Sequence, residues 1–373
     1  MKFSCERARL AEAVNIASRA ASPRNPIPAL EGILVEAASS SVRLTGFDLK
    51  KGAYTSIDAA VEEAGSVVIK ARIFSDIMRA LPSDGVVTLE MKDDQSVRIY
   101  SGSSDFKIIG TDYRDYPELP TVESQESIVL PAKILGEMIR ETIFAVADNE
   151  TRPIYTGSLF EIENGMLTII AVDGYRLALR REKVEVGESS YSFIVPGGAL
   201  SDVEKLCAAG GDTVTVTLGA KHISFGIGST VIVSRRLEGD FLNYRKTVPT
   251  NFNIEVTAVR SFVQTSVERV ALVIDDKVKN PIQCTFGDNV LQMYCATALG
   301  KAEDACVIDG DGKDLVIGFN NSYLLDALKA APEDEIKICL NSGTSPCVIM
   351  PAGAQQGEEK FVYMILPVRL KND

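Results

Sequence analysis

The chain has 373 residues, 46% hydrophobic and 24% charged, the proportions of a folded globular protein long enough for two or three domains. Its net charge of −12 argues against an indiscriminate nucleic-acid binder, and no apolar run approaches the ~20 residues of a membrane span. The opening Met1-Lys2-Phe3-Ser4-Cys5-Glu6 lacks the basic-then-apolar layout of a secretion signal, so a cytoplasmic protein is expected, and seven scattered cysteines without a CxxC pair read as buried free thiols.

The first predicted element is an amphipathic helix over roughly Glu6–Ala20, with Leu10, Ala13, Val14 and Ala17 on one face. Pro26-Ile27 then opens a strand region, where Gly32–Glu36 and Ser41–Thr45 alternate around an Ala38-Ser39-Ser40 turn. A second helix carries Phe74-Ser75-Asp76-Ile77 and stops at Pro82. Strands Val86–Glu90, Val97–Tyr100 and Asp105–Ile109 close the unit. The order then recurs. A helix runs from about Pro131, placed in the first turn, through Ile134, Met138, Ile139 and Ile143. Pro153-Ile154, strands Leu159–Ile162 and Met166–Ile170, and a helix with Leu200-Ser201-Asp202-Val203 follow, ending in a Gly210-Gly211 turn. The third pass gives Val259–Ala271, with Phe262, Val263, Val267 and Val270 on one face, then Pro281-Ile282 and Leu324-Leu325-Asp326-Ala327, stopped at Pro332.

The Pro-Ile steps lie 127 and 128 residues apart, a period of one small domain rather than a solenoid unit. The first register is soft, since matching Gly32 to Gly157 uses Pro28 instead of Pro26. The reading is an α+β chain of three tandem copies, each two helices on antiparallel strands, with domains at 1–121, 122–249 and 250–373. These carry net charges of −2, −4 and −6.

Chemistry is sparse. The single histidine, His222, sits in a strand-like stretch, and no Walker loop or dinucleotide fingerprint occurs. Acidic pairs occur at Asp93-Asp94 and Asp275-Asp276. Asp309-Gly310-Asp311-Gly312 lacks the ligand set of a calcium loop and reads as a hairpin turn. No catalytic residue, metal site or cofactor is expected.

Ala171-Val172-Asp173-Gly174-Tyr175-Arg176-Leu177-Ala178 and the C-terminal Met364-Ile365-Leu366-Pro367-Val368-Arg369-Leu370 carry a resemblance. Together with Met1-Lys2-Phe3 and Leu44-Thr45-Gly46-Phe47-Asp48-Leu49 they resemble the bacterial sliding clamps, the beta subunits of DNA polymerase III, along the whole chain. That resemblance implies the DNA clamp fold, with one chain forming half of a ring. Two chains would join head to tail around duplex DNA, helices lining the hole. Partners would be the replicative polymerase alpha subunit, the clamp loader, and other DNA polymerases and repair proteins, all binding through short peptides; no membrane is involved.

The resemblance also distributes residues over three surfaces. DNA would meet Arg24, Arg72, Arg79, Arg140, Asn149, Arg152, Lys205, Arg260 and Lys279, as diffuse positive charge toward phosphates. A peptide groove between copies two and three would use Tyr155, Val172, Gly174, Tyr175, Arg176, Leu177 and Leu242. Tyr323, Pro346, Met364, Leu366, Pro367, Val368 and Arg369 would complete it. Tyr175 stands where relatives commonly have histidine, and Leu242 where proline is common. The ring seam would join Phe106 and Ile108 to Leu272 and Val273 of the neighbouring chain, with Arg72 or Lys107 facing Asp275, Asp276 or Glu303. Two other readings are a scaffold that keeps the groove without encircling DNA and a catalytic nucleotidyltransferase subunit; the absence of a carboxylate metal site speaks against the second.

Overall fold

The computed structural model describes residues 1–92, 95–123, 126–149, 151–187, 189–275, 280–355 and 357–370. Lys279, Asp276 and the Asp93-Asp94 pair lie outside them. The chain forms two compact units, Met1–Lys133 with Lys205–Arg236 and Ile134–Glu204 with Leu237–Asp373. The division cuts through the second repeat because the sheets do not stop at repeat boundaries.

In the first unit an eight-stranded antiparallel sheet runs Ser127–Pro131, Thr213–Leu218, His222–Ile227, Thr230–Arg235, Lys51–Asp58, Ser41–Phe47, Gly32–Ala38, Gly65–Lys70. The join between copies is the pairing of Thr230–Ser234 with Thr55–Lys51. A five-stranded sheet runs Ala60–Glu63, Lys2–Glu6, Val86–Met91, Ser96–Ser101, Ser104–Ile109. Helices Arg7–Ser18 and Ala71–Ala80 contribute Leu10, Val14, Phe74 and Met78 to a core that also takes Phe3, Val35, Leu44 and Leu89 from both sheets. The first helix passes so close to its strand that a Cβ on Gly46 would sit 1.9 Å from the carbonyl oxygen of Ala17, and only glycine fits there.

The second unit holds one ten-stranded sheet: Tyr191–Pro196, Gly157–Glu163, Met166–Val172, Arg176–Lys183, Phe361–Ile365, Cys347–Pro351, Glu335–Leu340, Ile254–Val259, Gly300–Phe319, Ile282–Thr297. Copies two and three meet where Arg176–Arg180 pairs with Ile365–Phe361. Strand alternation divides these residues between two apolar layers. Ala178, Phe361, Tyr363 and Ile365 join Val263, Val267 and Leu324 of helices Arg260–Ala271 and Asn321–Ala330. Leu177, Leu179, Val362 and Met364 join a second cluster with Leu159, Val172, Tyr244 and Met350. A strand covered on both faces has no polar alternation, which is why Phe361–Ile365 is apolar throughout.

Each copy carries its two helices as expected, the remaining pair being Ala132–Arg140 and Gly197–Ala209. Helices Ala71–Ala80 and Asn321–Ala330 end because Leu81 and Ala331, each before a proline, adopt extended ψ of 148° and 122°. Four expectations need correction. Pro131 closes the strand Ser127–Pro131 instead of entering a helix, and Ile143 lies in a 3-10 turn after the helix has ended at Arg140. In copies one and two the Pro-Ile step does not open the strand. The chain first makes 3-10 turns at Pro28–Glu31 and Pro153–Thr156, and the strands begin at Gly32 and Gly157, which fixes the repeat register on Pro28. In copy three the strand does start at Ile282. Asp309-Gly310-Asp311-Gly312 is no hairpin turn; it is an irregular stretch inside the strand Gly300–Phe319, opposite register shifts at Phe286/Asp288 and Asp288/Val290. Its glycines are required by close backbone approach, since a Cβ on Gly312 would lie 2.4 Å from the Phe286 carbonyl oxygen.

Candidate functional site

The site grows from one turn in the second unit. Between strands Met166–Val172 and Arg176–Lys183, Asp173 Oδ1 accepts from the backbone nitrogens of Tyr175 at 2.9 Å and Arg176 at 3.0 Å. This side chain mimics a backbone turn and lets Gly174 take φ +93°, where its missing side chain leaves open space. Tyr175 is thereby lifted to the surface, 61% exposed.

Arg176 turns inward from the same turn. Its Nε donates to Asp173 Oδ2 at 2.9 Å and its Nη1 to Asp326 Oδ2 at 2.5 Å. The guanidinium lies 4.4 Å from the Tyr323 ring centroid and 5.4 Å from that of Phe144. Tyr323 stacks with Tyr175 at 6.2 Å. Two carboxylates and two rings therefore fix one cation beside the surface tyrosine.

The C-terminal segment borders this turn. Leu366 N donates to the Tyr175 carbonyl at 2.9 Å, and Val368 N to the Gly318 carbonyl at 2.8 Å. Gly318 permits the second contact, because a Cβ there would fall 2.6 Å from the Val368 oxygen. Pro346 stands just before Cys347, which pairs with Ile365. Val172, Leu177 and Met364 are buried in the cluster beneath, with Tyr155 and Leu242 half-buried against it and Tyr155 edge-on to Phe241 at 5.5 Å. Of the residues assigned to the groove, then, Val172, Leu177 and Met364 are floor; Tyr155, Leu242, Tyr323, Pro346, Leu366 and Pro367 are half-buried; and Gly174, Tyr175, Val368 and Arg369 are open. Although Asp173 stands in the Ala171–Ala178 motif, sequence reasoning gave no groove role to it, nor to Phe144, Phe241 or Asp326. The last carried a signal, being the acidic residue shared by the second helix of every copy.

Copy one repeats the turn. Asp48 Oδ1 accepts from Lys50 N at 2.8 Å and Lys51 N at 2.7 Å, and Leu49 takes φ +72° where Gly174 takes +93°. The ensuing surface differs. Leu119, near the end of copy one, lies over Gly52 so closely that a Cβ on Gly52 would sit 2.1 Å from its Cδ1. The contact is with the strand after the turn, and the turn residues Leu49 and Lys50 are exposed, as Gly174 and Tyr175 are.

Among the basic candidates, Arg24, Arg72, Arg79 and Lys205 of the first unit and Arg140 and Arg152 of the second are exposed, as is Asn149, whose Oδ1 accepts from Thr151 N. Arg79 pairs with Asp76. Arg260 is half-buried and donates to Gln264, to the carbonyls of Leu328 and Glu333, and lies 3.6 Å from Asp334, so its donors are taken up within the unit. The strand Ser104–Ile109 is a sheet edge with Phe106 and Ile108 half-buried toward the core and Ile109 82% exposed. Leu272 is also 82% exposed, and Val273 packs against the core of the second unit. Among the described residues no group of three His, Cys, Asp or Glu is placed to hold a metal, and no helix is long and apolar enough to cross a membrane.

Comparison with known proteins agrees with this architecture. Residues 1–120, 129–243 and 245–369 match the N-terminal, central and C-terminal domains of the DNA polymerase III beta subunit. The chain is 33% identical to the beta sliding clamp of Synechocystis over the full length of both and 31% identical to that of Bacillus subtilis over 99% of this chain and 100% of the other. Among solved structures, the Bacillus subtilis DNA polymerase sliding clamp superposes with a TM-score of 0.92 at 30% identity, covering 100% of both chains. A DNA polymerase III beta subunit from Eubacterium rectale gives 0.90 at 34%, covering 99% of each.

Proposed function

The chain belongs to the DNA polymerase III beta-subunit family, the beta sliding clamps of DNA replication, and on that footing we propose that it closes as a head-to-tail homodimer around duplex DNA and confers processivity on the replicative polymerase. It contributes no catalysis of its own. The polymerase alpha subunit, the clamp loader and repair proteins dock through short apolar-ended peptides. One observation carries the docking part: the Asp173–Arg176 turn and the C-terminal segment lie side by side over a shared apolar cluster. Half-buried Tyr155, Leu242 and Leu366 over that buried floor, with a few fixed polar tips, suit a peptide anchor.

Ring closure is supported by two strand segments that, among the described residues, are paired along one edge only. The edge strand Ser104–Ile109 presents free backbone groups, and Gly300–Val307 alternates half-buried and exposed residues like a strand prepared for a neighbour. Joining them across two chains would also cover Leu272. A clamp holds DNA by topology, so the exposed Arg24, Arg72, Arg140, Arg152 and Lys205 need supply only diffuse attraction to phosphates.

The decisive experiment loads the protein onto nicked circular DNA. Retention that disappears on linearisation supports a topological link. A single-chain native mass with no retention on circles overturns the ring and leaves a non-encircling scaffold. Primer extension by the chain alone should give no incorporation.

A further inference from the structure

Phe144 and Asp326, which hold Arg176, also line a recess of about 430 Å³ together with Arg140, Lys329 and Pro332. Both cations face it with loose partners: Arg140 is 3.5 Å from Glu141, and Lys329 is 3.4 Å from Glu268. The third charge in the lining, Asp326, is already engaged by Arg176 at 2.5 Å. Phe144 is shared as well, since one side of its environment is the recess and another is the Arg176 guanidinium. Asp326 and Phe144 thus touch both the recess and the Arg176 guanidinium.

We propose that this recess takes a phosphate group of a nucleic-acid backbone and that Asp326 relays its occupancy to the groove through Arg176, an inference resting on the peptide-groove reading above. Arg140 and Lys329 supply the two donors a phosphate needs. A phosphate held there repels the Asp326 carboxylate and withdraws from it the field of both cations. Asp326 is left with Arg176 as its counter-ion. The guanidinium is then held harder between Tyr323 and Phe144, and the Tyr175–Tyr323 stack that borders the peptide site is fixed before the peptide arrives. Fixing a binding surface in advance raises affinity, and the coupling is reciprocal.

The test measures the affinity of a fluorescent apolar-ended peptide for the dimer with and without a short linear duplex, at constant ionic strength. Binding about five-fold tighter with duplex, the low end of ordinary coupling, is expected. Asp326→Asn should bind peptide equally with and without duplex while keeping the native mass and melting midpoint. The double variant Arg140→Ala with Lys329→Ala should lose the difference too. Equal or weaker peptide binding with duplex in the unaltered protein, or a coupling that survives in either variant, overturns the proposal. Inorganic phosphate at millimolar concentration separates the sources: the same tightening means that a free phosphate suffices, and tightening by duplex alone assigns the DNA backbone. If no peptide binds under any condition, it is the groove reading that fails.

Discussion

Leu366 donates its backbone N–H to the carbonyl of Tyr175 at 2.9 Å, one step past the Arg176–Ile365 end of the strand pair joining copies two and three. That bond puts the C-terminal segment beside the most exposed aromatic of the Asp173–Arg176 turn. Removing residues 367–373 should therefore weaken peptide binding by about 2–4 kcal/mol, the scale of a lost hot-spot set. The dimer should survive, as sedimentation would check; dissociation would mean the seam, not the groove, had been cut.

Leu177 and Tyr175 are two positions apart and should answer differently. Leu177 is fully buried in the second apolar layer, so Leu177→Ala should cost about 2–5 kcal/mol in urea unfolding. Tyr175→Ala, at a largely exposed position, should change stability by no more than about 0.5 kcal/mol. It should nonetheless reduce peptide affinity about ten-fold or more, because an aromatic contact at a site border is lost.

Leu272 gives a test of the seam. Its side chain is 82% exposed, so Leu272→Asp should leave unfolding within about 0.5 kcal/mol of the parent for each folded chain. Covered by a partner strand, the same carboxylate would be desolvated without a counter-ion, and native mass spectrometry should find monomer. A dimer of unchanged affinity would show that Leu272 lies outside the seam.

Glu141 and Arg180 form the deepest ion pair described. Arg180 Nε donates to Glu141 Oε2 at 2.6 Å, and its Nη2 donates to Glu182 at 2.6 Å. Glu141→Ala leaves the guanidinium buried with one partner fewer and should cost about 3–5 kcal/mol, whereas Glu141→Leu with Arg180→Met should be nearly neutral. Burial pushes the Glu141 carboxyl up from its ordinary value, against the opposing pull of Arg180. A carboxyl raised by folding favours the folded state most while protonated. Its contribution is thus greatest below the ordinary carboxylate range and declines as pH climbs to the raised value. Unfolding free energies measured from pH 4 to 8 should show a decline that Glu141→Gln lacks.

Much of the groove was legible as motif. Asp173, Gly174 and Arg176 act within five residues of one another, so their spacing survives in the sequence as a readable string. Phe144, on the 3-10 turn Ile143–Ala145, and Asp326, on the helix Asn321–Ala330, reach the same guanidinium from elsewhere in the chain, so no string joins them to Arg176. Glycine told less than it encoded: Gly46 and Gly312 are fixed by backbones arriving from elsewhere in the chain, which no local pattern announces. The prolines misled at Pro131 and at the Pro-Ile steps, because a residue suited to a first helical turn is equally suited to a strand end or a 3-10 turn.

By itself the sequence determined three copies of an α+β unit, the six principal helices, and where two of them stop, since apolar periodicity and proline geometry act within a few residues. Tertiary structure decided that sheets run through the repeat boundaries, with Thr230–Ser234 on Thr55–Lys51 and Arg176–Arg180 on Ile365–Phe361. It also decided that Leu119 packs on Gly52 just past one of two similar turns. Both outcomes depend on which backbone edges and apolar faces meet between residues far apart in the chain. That is set by packing of the whole chain, and local composition is the same whether they meet or not.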